Sequence, residues 1–565
     1  MRGAAPGGDP RGPAAADVLH AAVAAFVASG LVGVWAAPDR AAAAASLRMF
    51  AFGGVLHAVI WLAGRRAPWH RVMPLGAMLG GALAATYFLT QYRHLVTDAK
   101  VSLTHALGQA LSGPAPALGW WTPQTNTVGT LLDGLVCLAA GAALGRGSVA
   151  VRALAGAAAA VMALGIVVSA SRGSWLAVLV AVAAAAVVAL PGRKIPPAVV
   201  GGVVTAGVLA VVASAVAPGV PWWMRLAAHL GRPDRLEVYQ HALTLVRDAP
   251  FTGIGAGDEF ARALSSYALL IQVPYLTYAH NLAVDLWLEH GLPGLAAWWA
   301  LAAALAAAAV AGERARLGWR FRGAWAGLLA IHVHGLSDAR ASVDAWLWLP
   351  FFVLTGILAA QVSRHGVRLP RAWALAPPVV AVAVCGASIA GRGAVGAAWH
   401  ANLGALAQGR ADGFDRRSDP RAASAEREAR AHFARALRHD AGDGPALRRL
   451  GLLDLASGHY DEAARHLGGA WREDPGHVTT RKAYGLAAVW TGDLDLAVEL
   501  LRALPGMADE LNTWSTWRAS RGELARAIAA AQVSLRLEPA QPAIVDLVHR
   551  LERDARRPPV AGPRD

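Results

Sequence analysis

Charge is what this 565-residue chain has least of: 16% of its residues are Asp, Glu, Lys or Arg, against 55% hydrophobic. A soluble chain of this length carries charge at about a quarter of its positions, so the deficit indicates a polytopic membrane protein. Cysteine is nearly absent. Cys137 and Cys385 lie inside apolar runs with no metal-ligand spacing around them, which argues against a disulfide framework and a zinc site. No small-residue cleavage site follows the Gly/Pro-rich start with Arg2 and Arg11, so a retained first helix is expected. No metal or other cofactor is expected.

The net charge of +14 is unevenly placed. Residues 1–409 hold 28 Lys+Arg against 15 Asp+Glu, and residues 410–565 hold 24 against 23. The excess belongs to the apolar part. Nucleic-acid binding needs a clustered basic face, so no nucleic-acid partner is expected; loop arginines that orient membrane helices account for the charge better. Crossing about 30 Å of hydrocarbon takes roughly 20 apolar residues. Runs near 17–37, 43–63, 72–90, 126–145, 150–170, 173–190, 196–217, 281–311, 321–337, 345–362 and 372–391 qualify, which predicts about 11 transmembrane helices in contact with membrane lipids. With a cytoplasmic N-terminus, alternate loops should be basic, and they carry Arg65, Arg66 and Arg71, then Arg146 and Arg152, then Arg193 and Lys194. Arg314, Arg316, Arg320 and Arg322 follow, then Arg364, Arg368 and Arg371. That parity puts Ser171-Arg172-Gly173, the long segment 218–280 and the C-terminal tail on the outer side. Trp222-Trp223 would anchor the outer loop at the interface, and Arg48 would snorkel to it.

The tail repeats itself. Gly458-His459-Tyr460-Asp461-Glu462-Ala463 recurs 34 residues later from Gly492, and a third copy starts at Gly522. Paired helices of tetratricopeptide type are the reading, with a shortened middle unit; a generic Ala-rich helical tail is the plain alternative. The expected organisation is a flexible segment 1–16, a membrane domain 17–398 with outer loop 218–280, a linker 399–420, helical repeats 421–557 and a tail 558–565. The fold class is all-α: a membrane helical bundle followed by an α-solenoid.

The residues able to do chemistry gather on the outer side. Gly253-Ile254-Gly255-Ala256-Gly257 follows a helix and lacks a Walker lysine, so it reads as a tight turn and not as a nucleotide loop. His280-Asn281 opens a membrane helix, on which Asn281, Asp285 and Glu289 share a face. Ionisable residues entering a bilayer mark function or a protein-lined cavity. Each has a plain alternative. Arg172 can cap a turn, Arg235 can pair with Asp234 or Glu237, and Asp285 can be a buried polar contact. His332, His334 and Asp338 either line the same outer cavity or, the favoured reading, pack inside the bundle.

In order, Ser171-Arg172-Gly173, Arg235-Leu236-x-x-Tyr239, Pro250-x-x-Gly253-x-Gly255, His280-Asn281 and Glu289-x-Gly291-x-x-Gly294 resemble the motifs of the O-antigen ligase and polymerase superfamily. Tyr239 stands where that family commonly has tryptophan, and Arg232 competes with Arg235 for the loop-arginine role. The resemblance implies metal-independent transfer of a glycan from an undecaprenyl-pyrophosphate donor to a lipid, glycan or protein acceptor, on the outer face of the cytoplasmic membrane. It implies Arg172, Arg235 and His280 as catalytic residues, with Arg232, Asn281, Tyr239 and Glu289 around the substrate. Guanidinium forks suit phosphate oxygens, and an imidazole suits proton removal from a hydroxyl. Ligase and polymerase both remain open, as does a protein O-oligosaccharyltransferase, and the tail could hold a protein partner. The rival class is a non-catalytic membrane scaffold or glycan transporter; a transporter should show two symmetric halves, which residues 17–391 lack.

Overall fold

The computed structural model describes residues 12–94, 101–113, 123–189, 235–257, 259–265, 276–338, 344–390, 394–414 and 418–556, with a few single residues between them. The described residues are mostly helical and form no named strand. The bundle is built from α1 (Ala15–Ala36), α2 (Arg40–Gly64), α3 (Trp69–Gln91), a short α4 (Ser102–Leu111), α5 (Thr125–Leu144), α6 (Val149–Val168) and α7 (Arg172–Ala189). Two loop helices follow, α8 (Arg235–Asp248) and α9 (Glu259–Leu264). The bundle then continues through α10 (Leu282–Arg314), α11 (Trp319–Gly335), α12 (Leu349–Arg364) and α13 (Ala376–Ala390).

Eight helices among the described residues are long and apolar enough to cross a membrane. The expected count of about eleven is not confirmed: α12 reaches the length of a span only with the turn before it, as Ala345–Arg364. Helix α11 has 17 residues and α13 has 15, each short of a full span. The expected run 196–217 lies outside the described residues, as do Trp222 and Trp223. Helices α5, α10 and α12 are mostly buried and form the centre, whereas α1, α2, α3, α6 and α7 turn Leu31, Val55, Leu83, Leu154 and Leu179 outward, as lipid-facing helices do. The central helices meet through glycine. A Cβ on Gly134 would come 3.2 Å from Gly327 O, and one on Gly141 2.6 Å from Gly323 Cα, so small residues bring the α5 and α11 backbones together.

Helix α10 is too long for the hydrocarbon: 33 residues rise about 50 Å against about 30 Å. It breaks at Gly291, whose φ of 66° belongs to glycine, with Pro293 just beyond. The glycine-rich loop fills the break. Ile254 N donates to Leu288 O at 2.7 Å, Leu292 N donates to Phe251 O at 3.1 Å, and Trp287 Nε1 donates to Pro250 O at 2.7 Å. A Cβ on Gly291 would lie 2.5 Å from Phe251 O, which is why loop and kink require each other.

The repeats are α14 (Val395–Asp412) with α15 (Pro420–His439), α16 (Gly444–Ser457) with α17 (Tyr460–Glu473), α18 (Val478–Thr491) with α19 (Leu494–Leu501), and α20 (Met507–Ser520) with α21 (Leu524–Leu537), closed by α22 (Pro542–Arg556). Gly458, Gly492 and Gly522 form the three turns inside the later pairs, at φ 76–86°. The shortened unit is α19, with eight residues. The linker expected over 399–420 is instead largely helix α14, which packs along α15. Its Ala401, Ala405 and Leu406 are buried, as a packed helix requires and a linker does not.

Candidate functional site

One turn collects the site. Ser337 and Asp338 follow the C-terminal end of α11, and chains from three other elements meet them. Arg235, the first residue of α8, donates through Nη1 to the Ser337 carbonyl and places Nη2 3.9 Å from Asp338 Oδ2. Asn126, at the start of α5, donates from Nδ2 to the same Oδ2 at 3.0 Å. His280 sets Nδ1 3.6 Å from Asp338 Oδ1, and that nitrogen, buried, hydrogen-bonds nothing among the described residues. Burial alone would raise the Asp338 carboxyl; His280, His334 and Arg235 more than offset it and hold the group well below the usual carboxylate range.

His280 holds its place through a strained backbone. Its φ of 55° is left-handed, a conformation a non-glycine residue seldom takes, and such strain concentrates at functional sites. The Tyr278 ring lies 4.2 Å from the imidazole centroid. Tyr239, fully buried on α8, points its hydroxyl at the His280 carbonyl over 3.5 Å, and burial raises its phenol. Asn281 serves as the cap of α10: Oδ1 accepts from Val284 N at 3.2 Å, while Nδ2 donates to Leu336 O at 3.0 Å. Asp285 is fully enclosed and accepts from Ala279 N at 2.8 Å, so it fastens the chain before the helix.

Arg172 opens α7, exposed at the same end of the bundle. Its neighbour Gly173 fixes the approach: a Cβ there would fall 2.5 Å from Ser337 Oγ and 3.0 Å from His334 Nε2. Arg235 and His280 thus border the Ser337–Asp338 turn, and Arg172 stands one residue from a backbone that packs against it. Glu289 does not border the turn. Eight residues beyond Asn281, about 12 Å along the helix, it belongs to the kink, where its carbonyl packs against Gly33. Arg232 lies outside the described residues, and so does the Glu237 side chain.

Two groups escaped the motif order. Asp338 is the hub, and its position one turn past His334, at the end of the expected apolar run 321–337, was the available signal. Asp133, an acid in the middle of an apolar run, pairs with His334 Nδ1 at 2.5 Å, both fully buried. Together they line a small cavity beneath the turn with Thr130, Asp338, Trp348 and Phe351. His332 packs instead: its ring stacks on Trp298 at 4.0 Å and 12°.

Residues 157–299 match the family model described as O-antigen ligase, and residues 454–512 match one described as tetratricopeptide repeat. No curated protein matches the chain. The first match runs from α6 to past the kink of α10, and so contains Arg172, Arg235, His280 and Glu289. It supports a multi-pass membrane enzyme of the glycan ligase or polymerase kind, acting on a lipid-linked donor and an acceptor; the second supports protein contacts by the repeats.

Proposed function

We propose that the protein transfers a glycan from a polyprenyl-pyrophosphate donor to an acceptor hydroxyl at the outer face of the cytoplasmic membrane, in the manner of an O-antigen ligase. The observation that carries this is that Arg235 and His280 both reach the Ser337–Asp338 turn, with Gly173, next to Arg172, packed against it, and that Arg172, Arg235 and His280 all lie in the segment that matches the ligase family. In the step, the acceptor oxygen bonds to the anomeric carbon of the donor sugar and the bond from that carbon to the pyrophosphate oxygen breaks. The electron pair leaves with the pyrophosphate, which stays on its lipid. Arg172 and Arg235 hold that growing charge, a task fixed guanidinium donors perform well in a water-poor site.

His280 takes the acceptor's proton. Asp338 faces Nδ1, which leaves Nε2 as the base, the division of labour seen wherever a carboxylate orients a catalytic imidazole. At 3.6 Å the pair is open by roughly 0.5 Å relative to a hydrogen bond and would tighten when substrate seats. Tyr239 and Asn281 fix the backbone on either side of the imidazole, and Glu289 supports the kink. The test is transfer by purified protein in lipid, given a polyprenyl-pyrophosphate glycan and an acceptor. Arg235→Ala should abolish transfer while the protein stays inserted; transfer at the wild-type rate by that variant removes the arginine from the chemistry.

A further inference from the structure

Arrays of paired helices present an extended face on which ligands dock. Here the first helices of three successive pairs, α14, α16 and α18, all pack against α8, the loop helix that begins with Arg235. Its contacts run along the whole helix. Tyr239, Ala242 and Leu245 share a core with Ala405, Leu452 and Ala487 of the repeats. Thr244 Oγ1 meets His477 Nε2 at 3.2 Å. Asp248, at the C-terminal end, is held by Arg448 and by Arg449 Nε at 2.6 Å, and all three residues are buried. Just past the helix, Asn402 of α14 accepts from Phe251 N at 2.9 Å and Thr252 N at 3.3 Å, and donates to Thr252 Oγ1 at 2.7 Å.

We propose that this face of the repeats takes α8 as a ligand in cis, and that Asp248 is a positioning residue for Arg235. A 14-residue helix is a rod of about 20 Å, so anchoring its far end sets where its first guanidinium stands. The anchor is strict because a buried carboxylate between two buried guanidinium groups has no neutral alternative arrangement. The repeats therefore belong to the scaffold of the site, and a free protein bound to this face would have to displace the arginine helix. The inference rests on Arg235 as the phosphate-holding residue.

The test uses the full-length protein in lipid with a polyprenyl-pyrophosphate glycan donor. Asp248→Asn and, as a milder cut at a separate anchor, Asn402→Ala are measured alone and in an Arg235→Lys background. Coupled residues lose their effect once the partner is altered. The expected result is a loss of about tenfold for Asp248→Asn and about threefold for Asn402→Ala alone, and less than about twofold for either in the Arg235→Lys background. Equal proportional losses in both backgrounds, the mark of a merely structural role, overturn the proposal, as do wild-type rates for both anchor variants. Should Asp248→Asn not yield folded protein, the Asn402→Ala pair decides. If Arg235→Lys itself transfers like wild type, the phosphate-holding reading fails; if it is crippled while the anchor variants are not, only the positioning role fails.

Discussion

The two ends of the membrane bundle carry arginine to different effect. At the end away from the site, Arg71, Arg320 and Arg364 gather around His70, Arg65 lies over Trp61 and Arg322 over Trp319. Only Arg322 has a close carboxylate among the described ion pairs there, Glu313 at 2.6 Å. Such like-charge grouping with interfacial aromatics orients helices in a bilayer and needs no fixed geometry. At the site end three guanidinium groups are committed: Arg235 to Ser337 and Asp338, Arg448 and Arg449 to Asp248. One side chain therefore serves two purposes, and the carboxylates opposite it separate them.

The sharpest way to break that contrast is to truncate arginines at both ends. Arg235→Ala should lower transfer by about a thousandfold, the scale of losing a fixed charge-stabilising donor, whereas Arg65→Ala and Arg364→Ala should stay within about twofold. Equal losses at the two ends would erase the distinction. Next in size is Asp338→Asn. It keeps the shape of the hub but removes the charge facing His280 and Arg235, and transfer should fall about a hundredfold. The depressed carboxyl also fixes a pH sign. Asp338 contributes stability above the ordinary carboxylate range, losing it only as pH falls through its own lower value, so mild acid should not disconnect the hub.

Gly291→Ala is a smaller effect and acts through the backbone. Its φ of 66° and the nearby Phe251 carbonyl should cost about 1–3 kcal/mol, read as a drop in thermal unfolding temperature in detergent. An unchanged temperature would mean that loop and kink are not mutually fixed. The smallest concerns the repeats, where Arg430 and His466 hold Asp454 below its usual range despite burial. Its contribution is complete above a pH of about 4 and is lost below it. Asp454→Asn should flatten the acid limb of repeat unfolding; an identical limb in wild type and variant would exclude the network.

The spans and the repeats were legible in the sequence because both are local. Hydropathy runs mark α1 to α3 and α5 to α7, and the recurring glycine at 458, 492 and 522 marks each turn. The order of motifs also marked Arg172, Arg235 and His280, since each opens a helix at one end of the bundle. Their meeting point was not legible. Asp338 is joined to Arg235 across 103 positions and to Asn126 across 212, and no spacing rule reaches so far. Asn281 and Glu289 shared a face by periodicity, yet the first became a cap and the second fell at the Gly291 break, which interrupts the period. Nothing in the repeats foretold that α8 would lie against them.

If the proposed site is right, Arg172 and His280 belong on one side of the membrane, with the Arg364 end on the other. Single cysteines placed at these three positions in a Cys137→Ser, Cys385→Ser background, labelled with a membrane-impermeant thiol reagent in sealed vesicles of known orientation, test it directly. The expected result is that Arg172→Cys and His280→Cys are labelled from the same face and Arg364→Cys only from the opposite one. Labelling of Arg172→Cys and His280→Cys from opposite faces would contradict it.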